Sequence, residues 1–210
     1  MFDYLNKHAS AISLATISTL AIFNVGYFWK IGIHFLGLID ISNLVYSLGV
    51  SLTAISIGGA ITAIVVRASS AWLQILLAGI GATVSTWGIV YFQPRTLDPQ
   101  LPQNFAILIG FILPWAAFTG RLIALDHAQK WSNLAWVGLG WWTIIFQAGI
   151  CQVSIELADR FMYVVNTKAG VIVDARILRS SSAGLLLVVD KRITFIPQGE
   201  IRAVSLQNPE

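Results

Sequence analysis

Five stretches of the chain contain no aspartate, glutamate, lysine or arginine, and each is at least 22 residues long. A helix needs about 20 apolar residues to cross the hydrocarbon core of a bilayer. Because a segment in lipid must satisfy its backbone hydrogen bonds internally, helix is the expected conformation. The pattern predicts an integral membrane α-helical bundle, with transmembrane helices at about 11–29, 44–66, 72–92, 105–125 and 134–153.

The charged residues are concentrated near the C-terminus. They make up 11% of the 210 residues, against about 25% in soluble domains. Of these 23 residues, 13 lie in 156–210. Because charged side chains cover a soluble surface, the composition excludes an ordinary soluble enzyme, and a disordered chain or a coiled coil is excluded as well. We divide the chain into a transmembrane helical domain at 1–155 and a small soluble domain at 156–210.

Short runs of apolar and β-branched residues follow one another in the C-terminal domain, and turn residues separate them. The runs are 161–165, 171–178, 184–189, 192–196 and 201–206. This spacing predicts an all-β domain with an SH3-like barrel. Segment 195–201 fits the short helical turn that such barrels have between their last two strands, which is an argument from fold analogy.

Small residues recur at helical spacing on the second predicted span. This stripe consists of Ser47, Ser51, Gly58 and Thr62, and the third span carries a similar one with Gly81, Ser85 and Gly88. Small residues let helices approach closely in lipid. Because the linker at 67–71 is short, we expect an antiparallel hairpin in which the two stripes face each other. The alternative is that the hydroxyl groups of the first stripe line a pore.

The segment between the first two spans, 30–43, is apolar but carries Lys30, His34 and Asp40. We interpret it as an interfacial or re-entrant segment. His34 and Asp40 could instead carry chemistry, but they form no metal-ligand or nucleophile pattern. The single cysteine, Cys151, excludes an intramolecular disulfide. We therefore expect no catalytic residues, no cofactor, no metal and no enzymatic activity.

Basic residues of the C-terminal domain are candidates for contact with a protein partner or with anionic lipid. They are Arg176, Arg179, Lys191 and Arg192. Acidic residues alternate with them, which is typical of a solvated face and argues against binding of nucleic acid.

The segment Gly26-Tyr27-Phe28-Trp29-Lys30-Ile31-Gly32-Ile33-His34-Phe35-Leu36 resembles a pattern in uncharacterised bacterial multi-pass membrane proteins, where an acidic residue follows, here Asp40. Several of those proteins also have a small C-terminal segment similar to Leu178-Arg179, Gly184-Leu185-Leu186, Phe195-Ile196-Pro197 and Glu200-Ile201. The resemblance implies the two-part architecture and a location in the bacterial envelope, and it implies no activity. We expect the inner membrane.

The positive-inside rule gives no orientation, because four basic residues lie near the spans on each side of the predicted topology. We expect a cytoplasmic C-terminal domain, since barrel modules attached to membrane spans are common inside cells. The leading functional hypothesis is a membrane-anchored assembly or partner-binding module that acts through this domain. Its partners would be the lipid bilayer and further copies of the chain or another membrane protein. The alternative is a subunit of an oligomeric pore or transport complex.

Overall fold

The computed structural model describes residues 2–67, 70–91, 97–124, 131–159 and 161–207. Its first part consists of five long α-helices, and a 3-10 helix, Ile33–Leu38, joins the first two. The α-helices are α1 (Phe2–Ile31), α2 (Ile41–Arg67), α3 (Ala71–Tyr91), α4 (Leu101–Ala124) and α5 (Trp131–Ala158). The predicted spans fall within these helices, apart from residues 92 and 125, which lie outside the described residues.

Each α-helix contains a stretch that is long and apolar enough to cross a membrane. The shortest stretches have 19 residues, and the longest, Ser132–Ala158, has 27. Large apolar side chains such as Leu14, Ile64 and Trp72 are exposed on the outside of the helices. A helix that is apolar on its outer face as well as its inner face is typical of a membrane span.

Glycines allow two pairs of helices to pack closely, α1 with α5 and α3 with α4. A Cβ atom on Gly26 of α1 would collide with the backbone of Phe146 in α5, and one on Gly110 of α4 would collide with Ser85 of α3. Helix α4 also contacts α2 and α5, which joins the pairs into one bundle. Small residues thus form the helix crossings, as expected for helices packed in lipid.

The expected packing of the second span against the third is wrong. Across the described residues, α2 and α3 have no extended contact, and α3 lies along α4 instead. A Cβ atom on Gly81 would come within 2.5 Å of the Pro114 ring of α4, and Gly88 lies against Ile107 of the same helix. The physical reason is that a short linker brings two helix ends together without fixing which faces pack.

The second part of the chain is an antiparallel five-stranded sheet. Its strands are β1 (Tyr163–Thr167), β2 (Val171–Ser181), β3 (Gly184–Val189), β4 (Arg192–Pro197) and β5 (Ile201–Leu206), in the order β4-β3-β2-β1-β5. A 3-10 turn, Gln198–Glu200, lies between the last two strands, as predicted. The predicted barrel is not closed, because β4 and β5 stand at opposite ends of the sheet without pairing.

Strand β2 bends at two irregularities and so belongs to both halves of the sheet. Its register against β1 shifts near Asp174, which has a φ of 56°, and its register against β3 shifts between Ile177 and Arg179. Such bulges bend a strand and increase its twist. The first half of β2 therefore pairs with β1, while the second half pairs with β3.

Strand β3 is buried on both of its faces. Leu186 and Val188 pack against the ends of α1 and α5, whereas Leu185 and Leu187 pack towards Val165 of β1. This explains why β3 is a continuous apolar run and not an alternating one, since only a strand covered on both sides has that pattern. Strand β3 therefore lies between the helix ends on one side and β1 on the other.

Candidate functional site at the helix–sheet junction

An apolar cluster joins the ends of the helices to one face of the sheet. Its helical members include Tyr27 and Leu157, and its strand members include Leu178 and Leu186. The 3-10 segment between α1 and α2 also packs against this cluster, through side chains that are partly buried. These are Phe35, Leu36, Leu38 and Ile39. Much of the segment for which we predicted an interfacial or re-entrant position is therefore in contact with the protein itself.

A polar cluster surrounds the carboxylate of Glu156, in the last turn of α5. Glu156 Oε1 accepts hydrogen bonds from Gln152 Nε2 at 2.9 Å and from the Tyr46 hydroxyl at 3.4 Å, and Oε2 accepts one from the Tyr27 hydroxyl. Arg179 Nη1 of β2 lies 3.2 Å from Oε1 and forms an ion pair with it. Four donors from three helices and one strand thus converge on one carboxylate.

The guanidinium group of Arg179 is enclosed and is not a surface charge. Its Cζ lies 3.9 Å from the ring centroid of Tyr27 and 4.8 Å from that of Tyr46, and its side chain is 8% exposed. Two of its nitrogens, Nε and Nη2, are buried without a hydrogen-bond partner. Aromatic rings attract a cation, and Glu156 neutralises it, so this ion pair fixes β2 to the helices.

Asp40 connects the beginning of α2 to the turn between β2 and β3. Its Oδ1 accepts hydrogen bonds from the backbone and side-chain nitrogens of Asn43 at 3.0 Å, which is the arrangement of a helix N-cap. Its Oδ2 accepts one from the backbone nitrogen of Ser182 at 2.9 Å, and Asn43 Nδ2 also donates to Ser180 O at 3.3 Å. His34 is exposed and packs on the ring of Phe35.

The four basic residues predicted to contact a partner or lipid divide into two pairs. Arg176 donates to the carbonyl oxygen of Leu157 near the end of α5, and Arg179 pairs with Glu156, so both are used within the molecule. Lys191 and Arg192 are exposed at the turn between β3 and β4. Only this second pair is available for an external contact.

A second polar cluster lies between α1, α4 and α5. Lys30 is 7% exposed, and its ammonium group donates to the carbonyl oxygens of Asp98 and Pro99 and to Ser154 Oγ, at 3.1 to 3.3 Å. Asn104, which is fully buried, donates through Nδ2 to Pro99 O and Ser154 Oγ. A buried ammonium surrounded by acceptors holds the α3–α4 connection against the bundle.

The predicted small-residue stripe of α2 faces α1 and α5. Ser47 Oγ donates to Asn24 Oδ1 of α1 at 3.2 Å, and a Cβ atom on Gly58 would lie 3.9 Å from the ring of Trp141 in α5. Ser51 lines a groove of about 280 Å³ between α1 and α2, and its hydroxyl is buried without a partner. The side chain of Thr62 lies outside the described residues.

A larger cavity, of about 400 Å³, lies between α2, α4 and α5. Its lining is apolar except for Thr53, Cys151 and Gln152, and Gln152 belongs to the Glu156 cluster. This lining suits a hydrocarbon chain better than a polar substrate. In the part of the chain that is described, no three His, Cys, Asp or Glu side chains come together as metal ligands do.

Several residues of the junction were not singled out from the sequence. In the sequence Glu156 marks the start of the charged tail, Tyr46 and Gln152 fall within predicted spans, and Asn104 and Ser154 fall just outside them. The sequence offers one signal for this cluster, since Glu156 directly follows the last charge-free stretch. A carboxylate at the end of an apolar helix needs a partner. Comparisons with protein-family models, with curated proteins and with solved structures find no match for this chain.

Proposed function

We propose that this chain is a membrane-anchored assembly module whose C-terminal sheet binds copies of the chain or another membrane protein. The five helices would lie in the bacterial envelope, as the resemblance of the segment around Tyr27 implies, and there in the inner membrane, with the sheet at the cytoplasmic surface. The observation that carries the proposal is the unequal use of the sheet. Its second half is fixed to the helices, whereas the helices leave its first half uncovered and only the inner face of that half is packed, against β3.

The uncovered half consists of β1, the first half of β2, and β5. Its exposed apolar side chains are Val171 and Val173 of β2 and Val204 and Leu206 of β5, and Phe161 lies just before β1, with 42% to 63% of each exposed. Val171 and Val173 share the outer face of β2, because Ile172 between them lies opposite the buried Val165, whereas Val204 also lies opposite Val165 and so is at the edge of the inner face. Exposed apolar side chains that lie together, as Val171 and Val173 do, are typical of an interaction site. Because the other half is anchored by the Glu156–Arg179 pair, a partner bound to the uncovered half would be held at a fixed position above the helices.

The alternative of a pore has less support. One hydroxyl of the stripe is engaged by a neighbouring helix, since Ser47 bonds to Asn24, and a Cβ atom on Gly58 would lie 3.9 Å from the ring of Trp141. A pore lined by this stripe would require α2 to separate from α1 and α5. The hydroxyl of Ser51 is buried without a hydrogen-bond partner, which would suit a polar path, but it marks a single point along α2.

The test of the proposal is the double substitution Val171→Ser/Val173→Ser. We expect a smaller assembly, both for the purified protein and for the cross-linked complex in native membranes, because the substitutions remove two apolar side chains from the contact surface. Lys168→Ser, in the exposed turn before β2, is the matched control and should change nothing. If the double variant keeps the same assembly and the same cross-linked partners, this surface does not carry the function.

The orientation has its own test, which the single cysteine makes simple. In a Cys151→Ala background, Lys168→Cys supplies one exposed thiol in the sheet. We expect a membrane-impermeant maleimide to label it in opened membranes and not in intact cells. Labelling in intact cells would put the sheet outside the cytoplasm.

A further inference from the structure

The sheet ends in two strands that are each paired on one side only. Strand β4 pairs with β3 and strand β5 pairs with β1, and within the described residues no other strand lies beside either of them. The outer backbone groups of a strand at a sheet edge can pair with another chain. The sheet therefore has two free edges, and both belong to the same molecule.

The hydrogen-bond pattern identifies which residues point outward at the edge of β5. The nitrogen of Gln207 donates to Met162 O, so this pair faces inward. In an antiparallel ladder, successive residues alternate between facing the partner strand and facing away. The N–H and C=O groups of Val204 and Leu206 therefore point away from β1, and these two side chains are 42% and 50% exposed.

The same argument applies to β4. The nitrogen of Gln198 donates to Ala183 O, and the register of β4 on β3 is regular from there to Arg192. The outward residues of β4 are therefore Ile193 and Phe195, followed by Pro197, which has no N–H to donate. Each edge thus presents two outward residues that are two positions apart.

We propose that copies of this chain associate by strand pairing, with β5 of one copy running antiparallel to β4 of the next. Ile193 would pair with Leu206 of the next copy, and Phe195 with Val204. In this register Arg192 lies opposite Gln207 and Arg202 lies opposite Pro197, so no two like charges are opposed. The inference rests on the proposed function and adds the edge of β4 to its contact surface.

A second copy fits these edges better than an unrelated partner does. Membrane helices hold all copies in one plane with the same orientation, so neighbouring edges can meet directly. Head-to-tail contacts of this kind generate a ring, or an open array if the rotation does not close. Soluble proteins protect edge strands with charges, prolines or bulges. Here Arg202 and Pro197 stand at one end of the two edges, whereas Val204 and Leu206 occupy the remaining outward positions of β5. Pairing with β4 would cover them.

Thr194 and Ser205 provide the test, because the proposed register places them directly opposite each other between hydrogen-bonded pairs. Cα atoms in such a position are about 4.5 Å apart, which is within the range for a disulfide. Both side chains are exposed, so cysteine at either position should leave the fold intact. Cys151→Ala removes the native thiol, and its assembly should match that of the native protein.

We would co-express Thr194→Cys and Ser205→Cys chains with different tags and oxidise native membranes. The expected result is a disulfide-linked pair that carries both tags, with no linked pair carrying one tag. The double variant Thr194→Cys/Ser205→Cys should give a ladder of larger products. Ala203→Cys, two positions out of register, should link to Thr194→Cys at least several-fold less.

The other outcomes separate the two proposals. Linked pairs with a single tag would mean that identical edges meet, which overturns the β4–β5 interface. An assembled protein without any linkage would also overturn the interface while leaving the proposed function in place. A monomeric chain without cross-linked partners in native membranes would contradict both.

Discussion

The two halves of the sheet have similar apolar content but use it differently. In the second half, Leu186 and Val188 pack against the helix ends, and Arg179 is enclosed by two tyrosine rings. In the first half, Val171 and Val173 are exposed. Strand β2 runs through both halves and bends between them. The difference shows that the helices fix one half of the sheet in place, and our proposal assigns association to the exposed side chains of the other half and to the two sheet edges.

The largest expected effect is at the ion pair that fixes the second half. Arg179→Met should lower the free energy of unfolding by about 3–5 kcal/mol, because breaking a buried pair leaves an uncompensated charge on Glu156. Denaturant unfolding in detergent, followed by tryptophan fluorescence, measures it. Arg179→Met/Glu156→Gln should recover part of the loss. A change within about 0.5 kcal/mol for the single variant would mean that the pair does not anchor the sheet.

A matched leucine pair compares the two halves directly. Leu186→Ala should cost about 2–5 kcal/mol, because a side chain that is 1% exposed leaves a cavity. Leu206→Ala, at a half-exposed position, should change the stability of the detergent monomer much less but weaken assembly in membranes. The same unfolding measurement serves both variants. Equal losses of stability would remove the distinction between the halves.

A smaller effect is expected at Asp40, which holds the turn between β2 and β3. Asp40→Ala should cost about 1–2 kcal/mol, since it removes the N-cap of α2 together with the bond to Ser182. Asp40→Asn keeps one oxygen to cap α2 but loses the second acceptor for the Ser182 nitrogen, so it separates the two bonds. Limited proteolysis at the turn reports its attachment, and we expect faster cleavage than in the native protein for both variants. Cleavage of Asp40→Asn at the native rate would mean that the carboxylate does not hold the turn.

The smallest effect is expected at the exposed turn between β3 and β4. Lys191→Gln/Arg192→Gln should change the free energy of unfolding by no more than about 0.5 kcal/mol, because neither side chain is used inside the molecule. Thermal unfolding in detergent checks this. A larger loss would mean that the second half of the sheet depends on charges that lie outside the helix junction.

The helices and strands could largely be predicted from the sequence because their signals are local. The gaps between charges locate the helices, and the apolar runs locate the strands to within a few residues. Strand β2 continues to Ser181, beyond the predicted end at 178, because Arg179 and Ser180 pair with β3. From the sequence alone, polar residues that continue a strand cannot be distinguished from polar residues that begin the following turn.

The junction could not be predicted because it depends on partners far apart in the chain. Arg179 has the sequence context of a surface charge, and only the packing of β2 against α5 brings it to Glu156. The spacing of the stripe on α2 predicts a shared helix face but does not identify the partner helix, since small residues specify close approach and not the identity of the neighbour. Asp40 was assigned to the loop, while its contact with Ser182 spans 142 residues.

Hydrogen–deuterium exchange of the full chain tests the central claim most directly, when the detergent monomer is compared with the protein in its native assembly. We predict that the amides of β3 are protected in both states, because the helices cover this strand. The outward amides of Val204 and Leu206 should exchange rapidly in the monomer and become protected in the assembly. Equal exchange of β3 and β5 in the monomer, or no added protection of β5 in the assembly, would contradict the account.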